Sequence, residues 1–356
     1  MRATERIWST ALFMILLMVT VGCTSAATPA TMESTSEEAT DESIAEADAL
    51  PPLVIGYSNW AGWWPWYIAE QEGIFEAHGA NVEMRWFDGY LESMEAFAAG
   101  QLDGNTQTLN DTVSFAPDAV NGEVVVLVND NSAGNDKIIV TEEIQTIEDL
   151  VGKTIALEEG VVDDFLLTLA LEEAGLSRDD VEIANLETGA AAAAFAAGQV
   201  DGVGAFPPFW LTALKREGSH ELISSAEFPG AIPDLLVVSQ TVIDERPDDV
   251  QKLIDVWFDV LKFMEENPAR ADELMAERAN VSVEEFQQFK DGTRLFTIEE
   301  NLEAFSPGDS FVHMPFAAVE MAEFMVNVGF IPAGPDDYEA LFDDSFVKAY
   351  AESLSE

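Results

Sequence analysis

The sequence predicts an α/β protein built from two Rossmann-like lobes joined by a two-strand hinge and followed by C-terminal helices. Residues 97–104 read FAAGQLDG and residues 195–202 read FAAGQVDG, so seven of eight positions match at a spacing of 98 residues. Each copy closes the same longer pattern of apolar run, helical stretch, second apolar run, Ala-rich helix and Gly-Gln-x-Asp-Gly. Apolar runs between and after the copies read as strands that carry the chain from one lobe to the other. A length of 356 residues is enough for two ordinary domains.

In the first lobe, 53–57 (LVIGY) is a buried-type strand. A short helix follows over 66–72, with Pro65 at a favourable start and Gly73 beyond the end. A second strand covers 81–87, a helix 90–99 is closed by Gly100, a third strand covers 103–107, and another helix begins at Asn110. The second lobe repeats the order. A strand at 154–157 precedes a helix at 162–174 ending at Gly175, and a strand at 181–186 precedes a helix at 190–197 ending at Gly198. A strand at 200–205 and a helix at 208–215 complete it. The hinge strands are 124–128 with 137–141, and 235–239. Helical apolar spacing over 247–266, 282–290, 314–328 and 337–353 predicts a C-terminal layer packed mainly on the first lobe. Within the repeated phrase, Gly100 and Gly198 suit left-handed helix ends, and Asp103 and Asp201 suit turn and cap roles.

The expected organisation is 1–23 a signal segment, 24–50 an acidic tether, 51–141 the first part of lobe one, 142–225 lobe two, and 226–356 the return to lobe one. Arg2 and Arg6 precede an apolar stretch over 7–21, too short for a comfortable membrane span. It runs into Thr20-Val21-Gly22-Cys23, which resembles a bacterial lipobox except that Thr20 stands where Leu is preferred. Cys23 is the candidate lipidation site; a plain secretory signal is the alternative, and either places the mature body outside the cytoplasmic membrane. Cys23 is also the only cysteine, so no intramolecular disulfide is possible. The Ser/Thr/Ala/Glu-rich tether has too little apolar surface to offset the entropy of ordering.

Charge limits the partners. With 67 Asp and Glu against 16 Lys and Arg, the formal net charge is −51. Such a surface repels nucleic acid and anionic lipid headgroups. The acids are spread along the chain, as suits a solvated surface in a salty medium.

Ligands of α/β sheets bind beyond the carboxyl ends of strands, where loops meet helix N-termini. After the first strand, that rule selects Asn59, Trp60, Trp63, Trp64 and Trp66, four of them tryptophans within seven residues. A core role suits one or two; at least one is expected to meet ligand. Further on it selects Asp88, then Gln107, Thr108, Asn110 and Asp111. In the second lobe it selects Glu159, Gly160, Val161 and Asp163, then Phe206, Phe209 and Trp210. Each Asp is also a natural helix cap. Enzyme motifs are missing: the histidines are His78, His220 and His313, without metal spacing or a Ser-His-Asp arrangement, and there is no phosphate-binding loop. Residues 130–136 (DNSAGND) read as an acidic turn lacking the late Glu of a calcium loop. No cofactor and no metal is expected.

Gly56, Trp64-Pro65, Ala69, Glu72-Gly73-Ile74-Phe75, Gly100, Asp103, Leu150-Val151-Gly152-Lys153, Gly160, Gly198 and Asp201, in this order and spacing, resemble the nitrate/sulfonate/taurine class of ABC-transporter solute-binding proteins. The resemblance spans about residues 52–330. It implies a periplasmic-binding-protein-like type II fold that closes as a monomer on a small solute, docks on a membrane permease and through it serves an ATPase. Some relatives in this class are pyrimidine-precursor synthases that use a cysteine-rich segment, which this chain lacks. A surface receptor that reports occupancy to a signalling partner is the alternative. The family's solutes are anions or zwitterions, yet the candidate loops contain no Arg or Lys. Trp faces with carboxylates favour a cation or planar nitrogen compound, so the expected solute is a small nitrogen compound such as guanidinium or a taurine-like zwitterion, with sulfonate- or nitrate-type solutes close behind.

Overall fold

The computed structural model describes residues 50–355. The signal segment, Cys23 and the tether up to Ala49 lie outside the described residues. Among the described residues no helix is long and apolar enough to cross a membrane.

Two sheets form the body. The first contains β1 (Leu53–Tyr57), β2 (Val82–Trp86), β3 (Gly104–Thr108) and β4 (Val124–Ser132). The second contains β5 (Lys137–Val140), β6 (Thr154–Leu157), β7 (Glu182–Asn185), β8 (Gly202–Ala205) and β9 (His220–Ser224). The chain then returns through β10 (Pro233–Val238) and adds β11 (Thr293–Leu295) at the edge of the first sheet. The strand orders are β11-β4-β10-β3-β1-β2 and β7-β6-β8-β5-β9. Each sheet therefore has three parallel strands, β2-β1-β3 or β7-β6-β8, extended by an antiparallel strand that arrives from the other lobe.

β5 pairs with β8 and β9. The first crossing is thus the short link between β4 and β5, and residues 137–140 belong with the second sheet rather than with the first part of lobe one. Ser132 and Ser225 tie the two crossings together, hydroxyl to hydroxyl at 2.6 Å. The acidic turn read over 130–136 is shorter than expected, because β4 runs on to Ser132 and buries Asp130 completely.

The repeated phrase does the same three jobs in both lobes. Gly100 and Gly198 adopt φ of 73° and 74°, the left-handed turn that ends each Ala-rich helix. Asp103 accepts from the Val54 amide at 2.8 Å, and Asp201 from the Thr154 amide at 3.0 Å, clamping the start of the neighbouring parallel strand. Gly104 and Gly202 sit where a Cβ would come within 2.9 Å and 2.7 Å of the Ile55 and Ile155 side chains.

The C-terminal helices pack mainly on the first lobe, while Phe324 also meets Phe165 of the second at 6.1 Å. Pro65–Gln71 contacts both Pro247–Glu266 and Pro268–Ala279, and Ser345–Ser353 covers β4. Pro268–Ala279, Ile298–Phe305, β9 and β11 are additions to the elements read from sequence. The predicted 337–353 helix is confined to Ser345–Ser353.

Candidate binding site between the lobes

Segments that follow the parallel strands converge from both lobes on one compartment. Asn59, Trp60 and Trp63 come from the loop after β1, Tyr90 from after β2, and Thr108 from the end of β3. Val162 follows β6, Phe206 follows β8, and the hinge contributes Asp136 and Asp234. These residues close tightly around a cavity of only about 10 Å³, about the least that holds one water molecule. The aromatic wall is continuous. Trp60 and Trp63 meet edge to face at 6.3 Å, Trp63 and Tyr90 at 5.5 Å, and Tyr90 reaches Phe206 of the other lobe at 6.3 Å.

The polar residues beneath this wall are carboxylates. Asp111 accepts from the Tyr90 and Thr108 hydroxyls, each at 2.8 Å, and from Asn110 Nδ2 at 2.8 Å. Asp130 accepts from Trp60 Nε1 at 2.9 Å and lies in register with Asp234, which lies in register with Thr108 on its other side. Asp130 Oδ2 and Asp234 Oδ2 are both buried without a hydrogen-bond partner. Asp163 is buried beside Gly204, and neither of its carboxylate oxygens has a partner. Asp136 Oδ2 is likewise buried and unpartnered, as is the Trp63 Nε1 donor on the wall.

Burial drives every one of these acids upward. Asp136 is pushed up to about 6, held back by Ser132 and Lys137. Asp111 rises to about 7 despite its hydroxyl donors. Asp130 rises to about 8 against the hydrogen bond from Trp60. Asp163 and Asp234 are raised well above the ordinary range, first by burial and then by neighbouring carboxylates. Lys137, next in sequence to Asp136, is paired with Glu221 and lies over the Trp210 ring at 5.3 Å from its centroid. Among the described residues no Lys or Arg lines the compartment.

The lobes also exchange carboxylates. The Val162 amide, at the start of the helix Val162–Glu173 in lobe two, lies near enough to Asp111 of lobe one to favour its charged form. The Leu91 amide, in the first turn of Tyr90–Ala98 in lobe one, does the same for Glu158 of lobe two. A helix N-terminus presents amides and a positive dipole end and is the natural seat of an anion. Here each cleft-facing helix has an acid of the opposite lobe near its N-terminus.

Of the residues selected from sequence, Asn59, Trp60, Trp63, Thr108 and Phe206 meet in the compartment. Asn110, Asp111, Val161 and Asp163 are buried around it. Asp88 and Phe209 line a groove outside it, together with Asn59. The remaining residues have other surroundings. Trp64 packs against Phe286 and Phe289, and Trp66 against Phe75 and Trp257, because the helix begun by Pro65 turns them into the core. Gln107 points within its own lobe and donates to Glu123 at 2.8 Å. Glu159 is exposed and paired with Arg178 at 2.8 Å, and Gly160 donates to Asp164 at 2.8 Å in the same turn. Trp210 meets Phe289 across the lobes at 5.2 Å. Sequence reasoning missed Tyr90, Asp130, Asp136, Glu158 and Asp234. The available signal was an Asp near the cleft end of each hinge strand, outside the apolar run.

The sequence profile of the NMT1-like family matches residues 46–279. A binding protein of Brucella abortus (strain 2308) is 27% identical over 83% of this chain and 92% of its own length. The taurine-binding periplasmic protein of Escherichia coli (strain K12) is 26% identical over 80% of this chain and 89% of its own. The alkanesulfonate-binding protein from Xanthomonas axonopodis pv. citri, solved with MOPS, superposes with a TM-score of 0.66 at 18% identity, covering 83% of this chain and 100% of that one. The same fold also serves an enzyme: a desulfurization enzyme superposes with a TM-score of 0.59 at 16% identity over 85% of this chain and 99% of its own. The two sheets have the arrangement of type II periplasmic binding proteins, and the chain belongs to the NMT1-like family.

Proposed function

We propose that this protein is the extracytoplasmic solute-binding component of an ABC importer, capturing a small solute between its lobes and delivering it to a permease. The names of its relatives and the compartment shared by both lobes support this reading. In the same reading, Cys23 carries the lipid anchor, 24–50 is the tether, and the two crossings tied at Ser132 and Ser225 form the hinge.

The proposed solute is a small cation, with guanidinium as the model compound. The observation that carries this is a pair of buried acids at the compartment, Asp136 and Asp163, which keep carboxylate oxygens without partners while, among the described residues, no Lys or Arg lines the space. Asp111 and Glu158 add negative charge near the Val162 and Leu91 amides, where an anion would otherwise sit. Aromatic faces complete a site suited to a planar cation. A zwitterion such as taurine is the second reading, favoured by the unpartnered Trp63 Nε1 donor.

Calorimetric titration of the purified protein with guanidinium, taurine, an alkanesulfonate and nitrate tests the proposal. Guanidinium should bind and the simple anions should not. Binding of nitrate or an alkanesulfonate without guanidinium would overturn the cation reading. A Cys23→Ser variant that stays with the membrane fraction as the parent does would overturn the anchor.

A further inference from the structure

A groove of acidic residues opens beside the compartment and shares Asn59 with it. Asp88, Glu92 and Glu95 face it from lobe one, and Glu158 and Glu187 from lobe two, with no Lys or Arg on its lining. Surface acids alone mean little on a chain this acidic. Glu158 differs from them. It is only 6% exposed, and its Oε2 is buried without a partner. Like-charged neighbours act on it from two sides: Asp111 on the compartment side, and Glu187 and Glu95 on the groove side. Glu158 in turn acts on Asp163. It therefore stands between the inner and outer acids. Leu91 and Phe209 give the groove an apolar strip beside the charges. Among the described residues no group of three or more acids, histidines or cysteines is placed to hold a metal ion. This arrangement suits an extended organic ligand with separated charges.

We infer that the groove is a second cation subsite, and that the preferred solute is a short dication: one end is a compact nitrogen cation in the compartment, and an amine at the other end lies among Glu158, Glu95 and Glu92. This rests on the cation reading above and names its substrate class. Aminoalkylguanidines fit the description, with the methylene spacer lying along Leu91 and Phe209.

The test compares 4-aminobutylguanidine with butylguanidine, which has the same spacer and no terminal amine, and with guanidinium alone. Binding of each to the purified protein is measured by calorimetry at low ionic strength. The aminobutyl compound should bind about tenfold more tightly than butylguanidine, the order expected for a charge-assisted contact near a buried acid. In a Glu92→Gln/Glu95→Gln double variant the ratio of the two affinities should fall towards one, and molar salt should shrink it in the parent protein. Equal affinities for the two compounds, with guanidinium still bound, would overturn the second subsite and leave the cation reading standing. Absence of binding by all three would overturn both.

Discussion

Trp60 Nε1 donates to Asp130 Oδ1 at 2.9 Å, joining residues 70 positions apart. This bond holds the tryptophan loop down on the end of the hinge strand. The loop passes so close that a Cβ on Gly62 would lie 1.7 Å from Asp130 Oδ2. Trp60→Phe keeps the aromatic face and removes the donor. Asp130 then loses the hydrogen bond that favours its charged form, and its titration moves still higher. Guanidinium affinity at neutral pH should fall about tenfold, as expected for losing a hydrogen bond to a buried charge. Partial recovery of affinity at higher pH distinguishes this cause from misfolding.

The buried acids set the pH response. A carboxyl group that titrates higher in the folded chain than in the unfolded chain favours folding most when protonated. Its contribution is complete below its unfolded value and is lost as pH rises through its folded value. Unfolded carboxyls titrate near about 4, and folded Asp136 at about 6, Asp111 and Glu158 at about 7, and Asp130 and Glu123 at about 8, so the loss runs from about pH 4 to about pH 8. The ligand-free protein should therefore melt at higher temperature at pH 5.5 than at pH 8.5, measured by calorimetry.

A cationic ligand favours the ionised acids, so its binding should release protons and strengthen as pH rises through the same window. Titrations in buffers of different ionisation enthalpy measure the protons directly. Proton uptake on binding, the result expected for an anion, would contradict the proposed solute.

Asp103 and Asp201 clamp strands at the ends of the sheets away from the compartment. Asp103→Asn or Asp201→Asn should each cost about 1–2 kcal/mol of stability, read by denaturant unfolding, without changing affinity. Trp64→Ala should behave in the same sense with a larger cost of about 3–5 kcal/mol, because the fully buried ring packs on Phe286 and Phe289. A loss of affinity in a still-folded Asp103→Asn protein would place that clamp nearer the ligand than the fold does.

The surface charge predicts a salt response. A formal charge of −51 makes the molecule self-repelling. Added monovalent salt should raise the melting temperature from low to molar concentration as the repulsion is screened. A falling melting temperature over that range would count against it.

The fold was legible because its determinants are local. The apolar runs, the glycines that end helices and the doubled phrase each leave a mark within about ten residues, and the parallel strands fall near their expected places. The carboxyl-end rule then reached Trp60, Trp63, Thr108 and Phe206. It could not separate Trp63 from Trp64, since that depends on the exact rotation of a one-turn loop into the helix started by Pro65. The hinge acids were hidden for another reason. Asp130 and Asp234 lie in strands that are buried throughout, yet they are polar, so hydrophobic patterning ends each strand too soon. Their partnership exists only through the β4–β10 register, between segments about a hundred residues apart. Glu158 carries no sequence signal beyond its place after β6.

The doubled phrase secures each sheet at the amino ends of its parallel strands, while the recognition loops occupy the opposite ends. Folding and selectivity are thereby written at opposite edges of the same strands. Substitutions at the loop edge can alter the sign of the solute that is favoured while the clamps go untouched. In a lineage with named members that bind taurine or sulfonates, the proposed preference for a cation would then need changes at one edge of the strands only.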